Sequence, residues 1–114
     1  MTDCLFCKIA SGEIPTELVH EDDEIVAFHD INPQAPVHVL VIPREHISTL
    51  LDIAPDHSAL LGRLQHTAID LARTLGLEET GFRLVTNCLE GGGQAVYHLH
   101  LHLIGGRRMN WPPG

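Results

Sequence analysis

Apolar positions along this chain fall into three rhythms. At Leu60, Leu61, Leu64, Ala68, Leu71, Ala72 and Leu75 they recur with period 3.6, the stripe of a helix lying on a core. That helix is predicted to begin near Pro55, where a first-turn proline is tolerated, to take in His57 and His66, and to be capped by Gly76. Residues 37–42 are a β-branched apolar run interrupted only by His38, which predicts a buried strand ended by Pro43. From Tyr97 to Ile104 polar and apolar residues alternate, the rhythm of a strand with two unlike faces. Weaker signals fill the rest. Leu5, Phe6, Ile9 and Ala10 have helical spacing and Gly12 stops them, giving a short helix over Leu5–Ser11. Residues 18–21 and 24–29 read as a hairpin around 21–24, residues 30–36 as a proline-containing loop, 82–87 as a strand and 90–94 as a glycine-rich loop. The last strand is predicted over 95–104, with Gly105-Gly106 ending it. This order predicts an α+β fold: a five-stranded, mainly antiparallel sheet with helices on one side, in one domain over residues 1–114.

Composition narrows the classes. Hydrophobic residues make up 44% of the chain and aromatics only 4%, so the core is aliphatic, and a partner subunit would help so small a core. A net charge of −8 repels polymeric nucleic acid, and no basic cluster exceeds Arg107-Arg108. A phosphate ligand would have to be small and held by imidazoles and backbone N–H groups. No apolar run is long enough to span a bilayer and the N-terminus lacks a signal-peptide pattern, so no membrane partner is expected. Three cysteines, an odd number, fit a reduced, cytoplasmic setting.

The alternation carries the chemistry. His98, His100 and His102 would stand on one face of a strand, ~7 Å apart, with Tyr97, Leu99, Leu101 and Leu103 packed on the other. Such a row suits phosphate chemistry or metal binding. Cys4-x-x-Cys7 is half of a zinc site, a pair of reduced thiols or a redox pair, although no thioredoxin-like strand–helix context surrounds it. His20, His29, His57 and His66 read as ordinary surface or core residues, and Cys88 as a thiol without a role.

The histidine row, with Gly92-Gly93-Gln94 before it, resembles the histidine triad (HIT) family. Asp22-Asp23, Ala27-Phe28-His29-Asp30-Ile31, Pro33-Gln34-Ala35-Pro36-Val37-His38, Val41-Ile42-Pro43, His46-Ile47-Ser48 and Trp111-Pro112-Pro113-Gly114 are similar to its Hint branch. The resemblance implies the HIT fold, with the sheet continued across a homodimer. It also implies a purine nucleoside phosphoramidase that hydrolyses AMP joined through nitrogen to an amine. In that reading His100 attacks phosphorus and forms a nucleotidyl-histidine, its Nδ1–H held by a main-chain carbonyl. His102 lies beside the phosphoryl oxygens or leaving group, and His38 orients and carries protons. Asp30 would accept from ribose hydroxyls, or merely cap its loop. Ile14, Phe28 and Ile31 would sandwich the base and Asn87 would contact phosphate or ribose. Gly93, Gln94 and Ala95 would bring backbone to the phosphate, and Trp111 would shape a partner subunit's leaving-group pocket.

Relatives in this branch often carry serine where this chain has Ala95, so weaker leaving-group assistance is expected. The resemblance also implies a closed structural zinc site on Cys4, Cys7, His46 and His98, and no catalytic metal. Three rival functions are a dinucleoside polyphosphate hydrolase, a nucleotide-binding scaffold with incidental hydrolysis, and a metalloenzyme with zinc on His38, His100 and His102. The last is disfavoured because no acidic ligand accompanies those histidines in the sequence.

Overall fold

The computed structural model describes residues 3–114. Helix α1 (Leu5–Ser11) starts where the Cys4 sulfur accepts the Cys7 N–H at 3.3 Å and stops at Gly12, whose φ of 84° few other residues tolerate. Strands β1 (Leu18–Glu21) and β2 (Ile25–His29) form the hairpin; Asp22 accepts from the Glu24 and Ile25 N–H groups in its turn. Strand β3 (Val37–Pro43) follows, then helix α2 (Ser58–Thr74), β4 (Phe82–Val85) and β5 (Leu101–Gly105). The sheet order is β1-β2-β3-β5-β4, antiparallel throughout. No helix among the described residues is long and apolar enough to cross a membrane.

The helices lie on opposite faces of this sheet, not on one side as the sequence suggested. Ile25, Ala27, Val39, Val41, Leu101 and Leu103 pack with Leu60, Leu64, Ala68, Leu71 and Ala72 of α2. Their alternating neighbours Val26, Phe28, Leu40 and Ile42 pack with Phe6, Ile9 and Ala10 of α1. Central strands that are apolar on both faces need a cover on each. Burying each leucine of the α2 stripe contributes ~1.5–3 kcal/mol.

Three elements have a boundary more than one residue from expectation. The long helix begins at Ser58, because Pro55–His57 form a 3-10 turn in which the His57 ring accepts the Ala54 N–H at 2.9 Å. The fourth strand ends at Val85. The histidine strand is only Leu101–Gly105: its pairing with β3 stops at Val41–Leu101, and Leu99 turns its N–H to Ile47 O at 2.6 Å instead. Gly105 belongs to the strand, paired with Val37 and Phe82. A Cβ there would come within 2.6 Å of a Leu77 methyl, so glycine permits the close approach.

Candidate active site and metal centre

The α1 face of the sheet carries the histidines. His38 on β3 and His102 on β5 are diagonal neighbours, since Leu40 pairs with His102 and His38 with Ile104. His98 and His100 reach the same side from the irregular segment before β5. Phe6 packs edge-on against both rings, at 6.0 and 5.2 Å between centroids. On the opposite side Leu99, Leu101 and Leu103 enter the α2 core as expected, but Tyr97 is 45% exposed and does not.

Hydrogen bonds fix where each proton sits, because the partner of one ring nitrogen decides the role of the other. The Gln34 main-chain N–H donates to His38 Nδ1 at 3.0 Å. Neutral His38 must therefore carry its proton on Nε2, and it donates to His102 Nδ1 at 2.8 Å. His102 in turn carries its proton on Nε2. That nitrogen is buried with no partner among the described residues, a donor aimed at nothing in the protein itself. His100 Nδ1–H donates to His98 O at 2.7 Å, which leaves a lone pair on Nε2. Its ring lies 4.9 Å from that of His102. The cluster thus offers one nucleophilic nitrogen and one unpaired N–H donor side by side, the pair that attack on a phosphoryl group needs.

Burial favours the neutral form of His102 and of His38. It pushes His102 down to about 4, helped by the neighbouring His100 and His38 and opposed by Asp30. It also lowers His38, against the pull of Asp30. Asp30 Oδ2 stands 3.4 Å from His38 Nε2, and Oδ1 accepts the Asn32 N–H at 2.9 Å. Asp30 is thus the acidic neighbour that the sequence seemed to lack. Asp30, His38 and His102 even gather as a metal-sized group. The Gln34 N–H speaks against a cation there, because it claims the one lone pair of neutral His38, on the nitrogen that faces away.

A second cluster fits a metal well. His46 Nδ1 and His98 Nδ1 lie 3.3 Å apart; Cys4 Sγ is 3.2 Å and Cys7 Sγ 3.5 Å from His98 Nδ1, and Cys7 Sγ is 3.3 Å from His46 Nδ1. The edges of a tetrahedron with Zn–S ~2.3 Å and Zn–N ~2.0–2.1 Å are about 3.3–3.6 Å for these pairs. His98 Nε2–H donates to Pro43 O at 2.8 Å, which leaves the Nδ1 lone pair for an ion. Burial also lowers His98, favouring the neutral ligand form. All four residues expected to hold zinc converge here.

The ligand-side expectations fare unevenly. The Gly92, Gly93 and Gln94 N–H groups do not cradle a phosphate. They donate within their own loop, to Leu89 O and Glu90 O at 3.0–3.1 Å. The Gln94 amide is buried and braces the loop, accepting from Leu89 N and donating to Ser48 O and Val96 O. Asn87 lies over this loop, 3.8 Å from where a Gly93 Cβ would stand. Ala95 is exposed beside it. Phe28 is buried against Phe6 at 5.4 Å, Ile14 is partly buried, and Ile31 is 99% exposed, so the three do not yet enclose a slot. Trp111 is 82% exposed on a tail held by Arg83, which donates to Asn110 O. Two contributors escaped the sequence reading. Gln34 acts through its main chain and leaves no side-chain signal. Phe6 lies between the two cysteines, a position that could have drawn notice.

Comparison with known proteins agrees with this geometry. The sequence model of the HIT domain matches residues 11–109. The chain is 53% identical to the 14 kDa zinc-binding protein of Brassica juncea, over 98% of this chain and 100% of that one. It is also 53% identical to the adenylylsulfatase HINT1 of Arabidopsis thaliana, over 96% of this chain and 76% of that one. Among solved structures, a HIT family hydrolase from Legionella pneumophila Philadelphia 1 superposes with a TM-score of 0.96 at 58% identity, covering 98% of this chain and 100% of that one.

Proposed function

Since this chain belongs to the HIT domain family and is a hydrolase of its Hint branch, we propose that it cleaves the P–N bond of AMP–amine conjugates through an adenylyl group carried on His100. The observation behind this reading is the arrangement of His100 and His102: a lone pair on Nε2 of one, an unpartnered buried N–H on Nε2 of the other.

The His102 N–H meets a phosphoryl oxygen. The phosphate's negative charge favours protonated imidazole, so the His38–His102 pair takes up a proton as substrate binds, and His38 Nδ1 then gives up the Gln34 N–H. His100 Nε2 attacks phosphorus, the P–N bond breaks, and the nitrogen leaves as a neutral amine with the proton from His102. Water then attacks the adenylyl-histidine, gives a proton back to the pair, and releases AMP. Positioned proton transfer of this kind contributes ~10²–10⁴ in rate. Asp30 steadies the charged state of His38. Ribose and base contacts by Asp30, Ile14, Ile31, Phe28 and Asn87 belong to the same reading, with the base ordering the exposed Ile31. Gly93, Gln94 and Ala95 form the loop beside the phosphate, and donors to it come from residues beyond Gln94.

Zinc on Cys4, Cys7, His46 and His98 would be structural, with no open coordination position. No step passes through it; the chain supplies the chemistry. A second copy of the chain would extend the sheet at β4, whose Phe82 is 38% exposed on the free edge, and would bring Trp111 toward the neighbouring site.

The name of the Arabidopsis relative points to a second reading, with adenylylsulfate as substrate. Sulfate is a weak base and leaves without a proton, whereas an amine needs one. Turnover of an AMP–amine, adenylylsulfate and a diadenosine polyphosphate side by side tests this. The proposed reading expects the AMP–amine to be fastest and most sensitive to His102→Ala. Faster dinucleotide cleavage, or no turnover at all, would replace it with the polyphosphate hydrolase or the binding scaffold.

A further inference from the structure

The proton order of the His38–His102 pair is decided by one main-chain N–H. An amide can only donate, so Gln34 fixes His38 as acceptor at Nδ1. That fixes His102 as acceptor at Nδ1 and presents the His102 N–H to the ligand. Were the Gln34 amide withdrawn, the chain could reverse. His38 would then hold its proton on Nδ1, His102 would donate back to it, and the His102 Nε2 lone pair would face the phosphoryl oxygens.

The Gln34 peptide is itself held. Arg107, two residues beyond β5, donates from Nε to Gln34 O at 2.9 Å, and its Nη1 donates to Arg108 O at 3.1 Å. The Gln34 side chain donates to Asn32 O at 3.0 Å, closing the loop toward Asp30. Pro36 presses on Gly106, where a Cβ would approach within 2.9 Å, and this contact seats the loop against the segment that carries Arg107. An arginine at the surface is thereby tied, through one peptide unit, to one buried and one half-buried imidazole.

We infer that the Gln34 main-chain amide, clamped by Arg107, is a positioning device that sets which nitrogen of His38 and His102 carries the proton. This rests on the phosphoryl-transfer reading above for its catalytic meaning. Arg107 touches no reacting atom; it acts through Gln34.

The test reads the rings directly. In 15N-labelled, zinc-loaded protein near neutral pH, long-range 1H–15N spectra should show His38 and His102 both protonated on Nε2. Arg107→Ala should give both rings an Nδ1-protonated population together and lower kcat for an AMP–amine by roughly tenfold or more, part of what positioned proton transfer supplies, while KM changes little. Arg107→Lys, which can still donate to Gln34 O, should recover part of both. Gln34→Pro, which removes the N–H outright, should shift the rings further. Wild-type His38 protonated on Nδ1, or ring signals unmoved in Arg107→Ala and Gln34→Pro alike, would overturn the inference. Wild-type rings as expected without any release of amine would instead remove the assigned reaction and leave the control of the protons standing.

Discussion

At the scale of single residues, an imidazole is defined by its environment more than by its identity. Nine histidines occur in the chain, yet only those whose nitrogens are claimed by fixed partners gain a defined role. His102 has its pKa lowered from 6.5 to about 4, so its neutral form is favoured in the native state. The unfolded chain binds the proton first as pH falls. Stability from this group is complete above pH ~6.5, is lost as pH drops toward 4, and is flat below. The loss is on the order of 2 kcal/mol after solvent screening. Thermal melts from pH 7 to pH 4 should show a fall in Tm that is shallower in His102→Gln; equal slopes would contradict the assignment. Ala95 invites the opposite kind of change. A hydroxyl restored there by Ala95→Ser should raise kcat for AMP–amines, a gain of roughly threefold to tenfold if it adds one hydrogen bond of ~1 kcal/mol in the transition state. Unchanged turnover would mean that the missing serine costs this chain nothing.

At the scale of elements, close approaches decide more than propensity. Gly105→Ala forces a Cβ against Leu77 and should destabilise by about 1–3 kcal/mol, read as a lower denaturation midpoint; Leu77→Ala in the same chain should recover part of the loss. Full stability in Gly105→Ala alone would refute the contact. Helix α1 has only Phe6, Ile9 and Ala10 to bury, so the Cys4–Cys7–His46–His98 clip should matter to its docking. Chelation, or Cys4→Ser with Cys7→Ser, should remove one zinc per chain and lower Tm by ten degrees or so, about 2 kcal/mol at this chain length. Zinc retained in that variant would place the metal elsewhere.

Much of this was legible in advance. The α2 stripe was readable because period is a side-chain property, and Cys4-x-x-Cys7 showed half of the metal cluster, while His46 and His98 were supplied by the family resemblance alone. The side on which α1 packs was not, since β3 is apolar on both faces and either could take a helix. The histidine strand was overextended, because alternation in sequence continues past the point where Val41–Leu101 pairing ends. That the Gly92–Gln94 amides bond within their own loop was not legible, because backbone N–H partners leave no side-chain signal, and the Gln34 amide was invisible for the same reason.

At the scale of the whole molecule, an acidic chain carries a small histidine cluster. A net charge of −8 disfavours polyanions, which is compatible with the proposed ligand, a single nucleotide phosphate. The sheet ends at β4, with Phe82 partly open to solvent, and Leu51 and Tyr97 are exposed elsewhere. Sedimentation should find twice the chain mass at micromolar concentration, and a charge at Phe82 should shift it toward the monomer; a wild-type monomer would exclude the shared sheet. The central claim remains chemical. Protein mixed with an adenosine phosphoramidate and stopped within milliseconds in acid-free denaturant can be weighed intact. One adenylyl group should appear on His100 and none in His100→Ala. Product formed with no adduct at any time point, or an adduct on another residue, would contradict the account.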